Sequence, residues 1–338
     1  MEPVTHALAS LALARAGLDR ITPRAVPMLL ASGLAADLDW LSRAGGAQAF
    51  LHGHRTVTHS VSGTAAIALG VAGIFWSLGR KHPIAPVRLS RALSVCAVSA
   101  GVHLLLDLTN PYGVQLLWPF REKWYAWDLI GPVDPSILLL LLLGLLLPGL
   151  FRLVSEEIGA RPKSAAADGA QRGAIVALVL VLAYGGGRWA LHDRALELLR
   201  SRLYRGQTAI NVGAFPAGAS PLNWAGVVET DNTLEQIEVS LAPGTIFDPD
   251  LARTHFKPEA SPALEAARKS RAASELLQFA RFPKARVEKN LQGYRVELRD
   301  LRFASSLARR SGFTAVVELN SQFQVTNEEL RFGQDLRK

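Results

Sequence analysis

The sequence predicts an α-helical integral membrane domain, with about four spans plus short re-entrant or interfacial helices, followed by a small α+β soluble domain. Long apolar runs are concentrated between residues 60 and 190, whereas residues 191–338 have the mixed composition of a soluble protein. From about residue 206 the pattern changes to short β-type runs. We therefore expect a membrane domain over 1–190, a connecting helix over 191–205 and a soluble α+β domain over 206–338.

Four segments are long and apolar enough to cross a bilayer, which requires about 20 residues. They cover residues 60–78, 91–108, 132–151 and 173–190. Two shorter apolar stretches, 4–16 and 25–36, are typical of re-entrant or interfacial helices. Between the third and fourth spans, residues 152–172 are rich in alanine, glycine and charge, which predicts a mobile loop.

The soluble domain is predicted to contain a mainly antiparallel sheet and one helix. The helix covers about 261–280. The predicted strands cover 209–215, 224–230, 234–241, 284–289, 293–299, 314–319 and 322–326.

Composition narrows the functional classes. The net charge is +8, but the basic residues are scattered beside apolar runs, which favours membrane topology and anionic headgroups over nucleic acid. We therefore expect membrane lipids as partners and no nucleic acid. The single cysteine, Cys96, excludes an internal disulfide and a thiolate zinc site. The first residues lack a basic region, so we expect no cleavable signal peptide.

Histidines and aspartates in the first third of the chain form four groups that stand out from their apolar surroundings. The groups are Thr5-His6, Asp37-Leu38-Asp39, the run from His52 to Ser60, and His103 with Asp107. His103 and Asp107 are four residues apart, so they share one face of a helix. Ionisable groups inside a span are costly and by default indicate function, although a His–Asp hydrogen bond that only joins helices is an equal alternative.

These groups converge on one side of the membrane. His54 and His59 lie just before the first span, and the second span returns to the same side at Asp107. If the two short apolar stretches are re-entrant or cross as a pair, His6, Asp37 and Asp39 reach that side as well. Chance scatter over both faces would not give this arrangement.

Four imidazoles and three carboxylates are the donors that zinc, manganese or iron(II) use. Zinc is the first expectation, and seven donors allow one or two ions. Such an ion lowers the pKa of water toward about 7, which favours ester or phosphoester hydrolysis. Arg55 lies between two histidines and is expected to assist catalysis by orienting an anionic substrate, with Asp39 as a possible base.

The order of these motifs resembles a known family, the membrane-bound metal-dependent hydrolases, also called LexA-binding, inner membrane-associated hydrolases. The resemblance rests on the Thr-His start, Asp-x-Asp, His-Arg-x-x-Thr-His-Ser and His-x-x-x-Asp, and on the stretch 112–120. It covers about residues 1–150. It implies a metal-dependent hydrolase in which the metal-site positions are His6, Asp37, Asp39, His54, His59, His103 and Asp107.

A second hypothesis remains open. The chain would then be a non-catalytic membrane protein, with a structural His/Asp metal site or hydrogen-bond cluster and a partner-binding C-terminal domain. The two hypotheses differ because an enzyme keeps an open coordination position, whereas a structural site is closed. The substrate expected for the first hypothesis is a small molecule or a lipid.

Charge in the loops predicts the orientation. The loops 79–91 and 152–172 each carry four basic residues, whereas 109–131 carries only Arg121 and Lys123. The positive-inside rule then places the metal site and the C-terminal domain on the outer face of a bacterial-type inner membrane. The arginines of the amino-terminal arm oppose this assignment.

Overall fold

The computed structural model describes residues 1–157, 163–303 and 312–333, with the side chains of 152–168 also outside the description. The chain divides into two compact units. The first contains residues 1–41 and 53–189, and the second contains residues 42–52 and 190–338. Residues 42–52, which the sequence analysis assigned to the membrane domain, thus belong to the second unit.

The first unit is helical. Its helices are α1 (Pro3–Arg15), α2 (Ala25–Leu34), α4 (Val61–Gly79), α5 (Leu89–Leu108), α6 (Pro135–Glu157) and α7 (Lys163–Arg200), with a 3-10 helix at Ala35–Gly45. Among the described residues, α4, α5 and the part Gly169–Arg200 of α7 have the length and composition of membrane spans. The predicted span 132–151 lies in α6, whose apolar part covers Pro135–Phe151.

Two predictions for this region need correction. The expected loop 152–172 is helical over most of its length, because α6 continues to Glu157 and α7 begins at Lys163; residues 158–162 lie outside the described range. Alanine and glutamine in 164–171 favour helix, and this outweighed the charge and glycine on which the loop prediction rested. The connecting helix 191–205 is the end of α7, which runs without a break to Arg200.

Small residues bring α1, α2 and α5 close together. Ser99 Oγ lies 3.0 Å from Ser10 Oγ and donates to the Leu29 carbonyl at 2.7 Å. A Cβ at Gly33 would overlap both hydroxyl oxygens. Small residues of this kind allow helix backbones to approach closely inside membranes. The carbonyl of Gly33 is thereby held against α5.

The segment after α5 folds back over the start of α4. The Val61 amide donates to the Leu116 carbonyl, and the Gln115 amide donates to the Arg55 carbonyl, both at 3.0 Å. Val114 and Tyr125 form a short antiparallel bridge. These bonds fix the residues that precede α4.

The second unit contains two antiparallel four-stranded sheets, not the single sheet that the sequence predicted. The first sheet has the order β1 (Asn211–Pro216), β2 (Asn223–Glu229), β3 (Thr233–Ser240) and β4 (Arg253–Phe256). The second has the order β5 (Pro283–Asn290), β6 (Gly293–Asp300), β7 (Phe313–Asn320) and β8 (Val325–Phe332). The sequence missed β4, which is only four residues long, and placed β8 too early.

The expected helix 261–280 is two helices, α8 (Pro262–Arg268) and α9 (Arg271–Phe279). The break occurs at Ser270, whose side chain accepts a hydrogen bond from the Ala273 amide and so starts a new helix. The last turns of α7 pack on the first sheet, where Leu199 lies against Gly226.

A short helix from the first half of the sequence, α3 (Gly46–Gly53), packs in the second unit. Phe50 is buried, with its ring 4.7 Å from that of Phe332 and 6.1 Å from that of Phe313. The side-chain amide of Gln48 donates through Nε2 to both carboxylate oxygens of Glu275, at 2.8 and 2.9 Å. Residues 42–52 are therefore an insertion whose packing partners lie more than 200 positions further along the chain.

Candidate metal centre

The seven predicted ligands come from four elements and meet at one end of the spans. His6 lies on α1, Asp37 and Asp39 lie on the 3-10 helix, His54 and His59 precede α4, and His103 and Asp107 occupy the last two turns of α5. The Ser60 side chain accepts a hydrogen bond from the Gly63 amide and starts α4, which places His59 directly before the helix. The expected convergence is therefore present.

Hydrogen bonds fix the tautomer of His103. Its Nδ1 lies 2.7 Å from the Gly33 carbonyl oxygen. A carbonyl only accepts, so Nδ1 carries the proton and the lone pair is on Nε2. Carbonyl partners of this kind orient histidines that bind metals.

His59 is oriented in the same way. Its Nδ1 lies 2.9 Å from Asp39 Oδ2 and 3.0 Å from Thr58 Oγ1. The Thr58 hydroxyl itself donates to Asp39 Oδ2 at 2.7 Å, so it accepts from the imidazole. His59 therefore also presents an unprotonated Nε2.

Three acceptor atoms then face one another. The two Nε2 atoms of His59 and His103 are 3.0 Å apart. Asp107 Oδ2 lies 2.9 Å from the first and 3.4 Å from the second. Lone pairs at such separations repel unless a cation or a proton lies among them. Ligands bound at 2.0–2.1 Å to one zinc ion lie about 3–3.5 Å apart, which these distances match.

His6 and Asp37 complete the group of donors. The ligand atoms of His6, Asp37, His103 and Asp107 all lie within 4.8 Å of one another. Asp37 Oδ1 is 3.7 Å from His103 Nε2, and His6 Nε2 is 3.5 Å from Asp107 Oδ1. Both ring nitrogens of His6 lack a hydrogen-bond partner among the described residues, and so does Asp37 Oδ2. Buried polar atoms without partners are costly, and a metal ion would satisfy them.

Asp39 and His54 lie beside this group. Asp39 Oδ1 is 2.8 Å from His54 Nδ1, and Oδ2 accepts from the Arg55 amide at 2.8 Å as well as from Thr58 and His59. Both carboxylate oxygens are thus engaged by the protein. In this arrangement Asp39 positions two imidazoles, and its predicted roles as ligand and base stay predictions, as does ligation by His54.

Two pKa values bear on ligand availability. Burial lowers the pKa of His59 to about 4, so its imidazole is neutral at pH 7. Burial raises the pKa of Asp37 to about 6. Burial would also raise the pKa of Asp39, but hydrogen bonds with His54 and His59 bring it well below its usual value. The protonation states near pH 7 are those that a metal ion requires.

Arg55 has unused hydrogen-bonding capacity. Its Nη2 donates to Asp107 Oδ1 at 2.9 Å, and its guanidinium carbon lies 5.3 Å from the centre of the Tyr112 ring. The side chain is buried, yet Nε and Nη1 have no hydrogen-bond partner among the described residues. Arg55 adopts a left-handed backbone conformation, with φ of 60°. Two donors of a planar fork are thus available to an anion.

Several positioning residues were not identified from the sequence. Thr58 lies within the quoted His-Arg-x-x-Thr-His motif, so that motif contained a signal. Gly33 acts through its backbone carbonyl and its missing side chain, for which a single sequence gives no signal. Asp134 acts at the start of α6, where its Oδ1 accepts from the backbone amides of Ser136 and Ile137.

The fold and the site define a helical membrane protein with a buried His/Asp cluster at one end of its spans. The family described as YdjM inner membrane protein matches residues 1–195, more than half of the chain, and the chain belongs to that family. The domain described as YfhP C-terminal alpha/beta plait domain matches residues 262–334.

One curated relative is the uncharacterized protein YfhP of Bacillus subtilis (strain 168), which is 28% identical over 108 residues. The match covers 32% of this chain and 32% of that protein. No solved structure matches the chain.

Proposed function

We propose that this protein is a membrane-embedded hydrolase that depends on a divalent transition metal and cleaves an ester or a phosphoester. The observation that carries the proposal is the meeting of His59 Nε2, His103 Nε2 and Asp107 Oδ2 within 3.4 Å of one another, with the protons of both imidazoles on Nδ1. The resemblance to the membrane-bound metal-dependent hydrolases supports the same reaction class.

The residues present fit a metal ion. Imidazole and carboxylate donors suit zinc first, and manganese or iron(II) as alternatives. His59, His103 and Asp107 would hold the ion, with Asp37 and His6 completing the set or holding a second ion. When bound, such an ion supplies a hydroxide nucleophile by lowering the pKa of water toward about 7.

The residues of the chain would share the remaining tasks. Asp39 and the Gly33 carbonyl hold the two imidazoles in the required tautomers. Arg55 binds the anionic part of the substrate and stabilises developing charge through its free Nε–H and Nη1–H. Asp37, whose side chain is 14% exposed, is placed where substrate enters. We further propose that the site faces the outer side of the inner membrane, from the distribution of basic loop residues.

Metal content tests the proposal directly. The full chain, purified in detergent without chelators, is expected to hold one or two equivalents of a transition metal by mass spectrometry. His59→Ala and Asp107→Ala each remove a ligand and are expected to weaken metal affinity by at least about 100-fold, since even the loss of an outer partner costs 10–100-fold. Metal-free wild type, or unchanged metal content in both variants, would refute the proposal.

A non-catalytic metal site is the second candidate, and burial favours it. The side chains of His59, His103 and Asp107 are 0–2% exposed, as expected for a closed structural site. The candidates separate on a metal-loaded sample offered soluble chromogenic phosphoesters and carboxyl esters. Turnover that is lost with the metal supports the hydrolase. Full metal occupancy with no turnover of any ester supports the structural site.

A further inference from the structure

Exposed apolar side chains alternate with the ligands in the segments that carry them. Leu38 lies between Asp37 and Asp39 and is 65% exposed, and Trp40 follows at 52%. Val57, between His54 and His59, is 43% exposed. The 3-10 helix and the segment before α4 therefore direct donors inward and apolar groups outward, although neither is itself a membrane span.

The site also lies at a defined depth. Asp107 is one residue and His103 five residues from the end of α5, so both lie within about 8 Å of the end of a span. The antiparallel helix α4 begins at the same end, directly after His59. The boundary between hydrocarbon and headgroups, where phospholipids carry their phosphoesters, lies at the ends of such spans.

The access to this site lies beside the apolar residues. Within the group of His6, Asp37, His103 and Asp107, only Asp37 is more than 2% exposed at its side chain. Leu38 and Trp40, one and three residues after Asp37, have exposed side chains. A substrate that reaches the donors past Asp37 therefore passes an apolar rim.

The positive charge of Arg55 inside the site favours a substrate with an anionic head group. Arg55 is 5% exposed and holds two hydrogen-bond donors without partners among the described residues. A guanidinium fork matches a phosphate, with its charge and several oxygens, better than the neutral carbonyl of a carboxyl ester.

We infer that the substrate is a phospholipid of the bilayer in which this protein lies, with its acyl chains against Leu38, Trp40 and Val57 and its phosphate on Arg55. This inference rests on the proposed function. In the reaction, the oxygen of water bonds to phosphorus, the bond from phosphorus to the leaving alcohol oxygen breaks, and a proton from that water ends on the alcohol.

Activity is measured on the metal-loaded full chain with three phosphoesters. They are soluble p-nitrophenyl phosphate, phosphatidic acid in mixed micelles, and phosphatidylglycerol in mixed micelles; the last two distinguish a monoester from a diester. Leu38→Asn is expected to lower the ratio of lipid to soluble turnover about tenfold, since it removes one buried leucine contact from the lipid complex. The matched control is Ile246→Asn, at a 92% exposed apolar position in the second unit, which should leave the ratio unchanged.

Binding is measured without turnover. Phospholipids with brominated chains quench tryptophans that they contact, so they are expected to quench wild type more than Trp40→Phe. Arg55→Met is expected to lower the amount of phosphatidic acid that native mass spectrometry finds on the protein, with metal content retained.

The outcomes separate the inference from the proposed function. Hydrolysis of the soluble phosphoester without hydrolysis of either lipid, together with equal quenching of wild type and Trp40→Phe, overturns the lipid inference and leaves the hydrolase intact. Absence of bound metal and of all turnover overturns both. Lipid turnover that depends on Leu38, with quenching that depends on Trp40, supports the inference.

Discussion

A buried ion pair in the second unit and the His/Asp cluster in the first unit differ in how far their polar atoms have partners. In the second unit, Asp300 and Arg302 are buried, and Arg302 Nε donates to Asp300 Oδ2 at 2.7 Å. Asp300 also accepts from the backbone amides of Arg281, Phe282 and Arg302, while Arg302 donates to the Phe279 carbonyl. In the first unit, several atoms of His6, Asp37 and Arg55 have no hydrogen-bond partner among the described residues.

This difference is the one expected between a structural polar network and a site that binds a ligand. A buried network that stabilises a fold satisfies its members internally, because each unpaired group is costly. A site for a metal and an anion must leave lone pairs and N–H groups for them. The satisfied pair should therefore control stability, and the unsatisfied cluster should control binding.

The largest expected effect is on the satisfied pair. Arg302→Ala leaves Asp300 buried without its charge partner and should lower the free energy of unfolding of the second unit by about 3–5 kcal/mol. Pulse proteolysis in urea measures this. Metal bound per folded molecule should not change. The matched control is Arg299→Ala, since that arginine is 58% exposed in its pair with Glu297 and should change stability by less than about 1 kcal/mol. Equal losses of unfolding free energy in the two variants would show that the buried pair does not stabilise the second unit more than an exposed pair does.

The next effect concerns the helix contact behind the candidate metal centre. Gly33→Ala introduces a Cβ that overlaps the hydroxyls of Ser10 and Ser99, so α2 must move and the carbonyl that holds His103 moves with it. Metal affinity should fall about 10–100-fold, as measured by competition with a chromogenic chelator. Gly101→Ala on α5 is the control, because nothing lies within 4 Å of its added Cβ. Equal affinity in both variants would show that the Gly33 carbonyl does not orient a ligand.

A smaller effect is expected from pH. The pKa of Asp37 is raised to about 6, so below pH 6 this carboxyl is protonated and a metal ion must displace the proton. Affinity is therefore full only well above pH 6 and should fall about tenfold between pH 7 and pH 5 from this group alone. His59, with a pKa of about 4, contributes little in that range. Titrations at pH 5, 6 and 7 measure the slope, which should flatten in Asp37→Asn; a steep slope in that variant would assign the proton to another group.

The smallest effect concerns a buried carboxylate of the second unit that has no hydrogen-bond partner among the described residues, unlike Asp300. Glu235 on β3 is 1% exposed, and neither carboxylate oxygen has a hydrogen-bond partner among the described residues. Glu235→Met replaces this group with an apolar side chain of similar length and should raise the free energy of unfolding by about 1 kcal/mol. A loss of stability in urea would show instead that this carboxylate stabilises the fold and is not an exception.

The sequence contained most of the candidate site because its members are polar residues in apolar surroundings. The i, i+4 spacing of His103 and Asp107 placed both on one helix face, and the antiparallel spans brought them to His59. The carbonyl of Gly33 and the hydrogen bonds of Asp39 with His54 and His59 were not visible, because they depend on which backbone and side-chain atoms meet across helices. A list of ligand types contains no information on such contacts.

The fold was predictable where local patterns determine it. Six of the eight strands were predicted close to their observed positions because their β-type runs are long, whereas β8 was placed too early and β4 was missed because four residues carry little pattern. The division of the strands into two sheets depends on pairing between distant segments. The packing of residues 42–52 in the second unit depends on Phe332, almost 300 positions away, and no local pattern predicts it.

Because residues 42–52 pack in the second unit, the amino-terminal part of the chain depends on the carboxy-terminal domain. A chain cut after α7 would retain Phe50 and Gln48 but lose Phe313, Phe332 and Glu275, on which they pack. The released segment is the one that joins Asp39 to His54, so the loss of its packing contacts would give more freedom to the chain between these two residues of the candidate metal centre. Genetic exchange or protein engineering that treats the carboxy-terminal domain as a detachable module would therefore alter the membrane half as well.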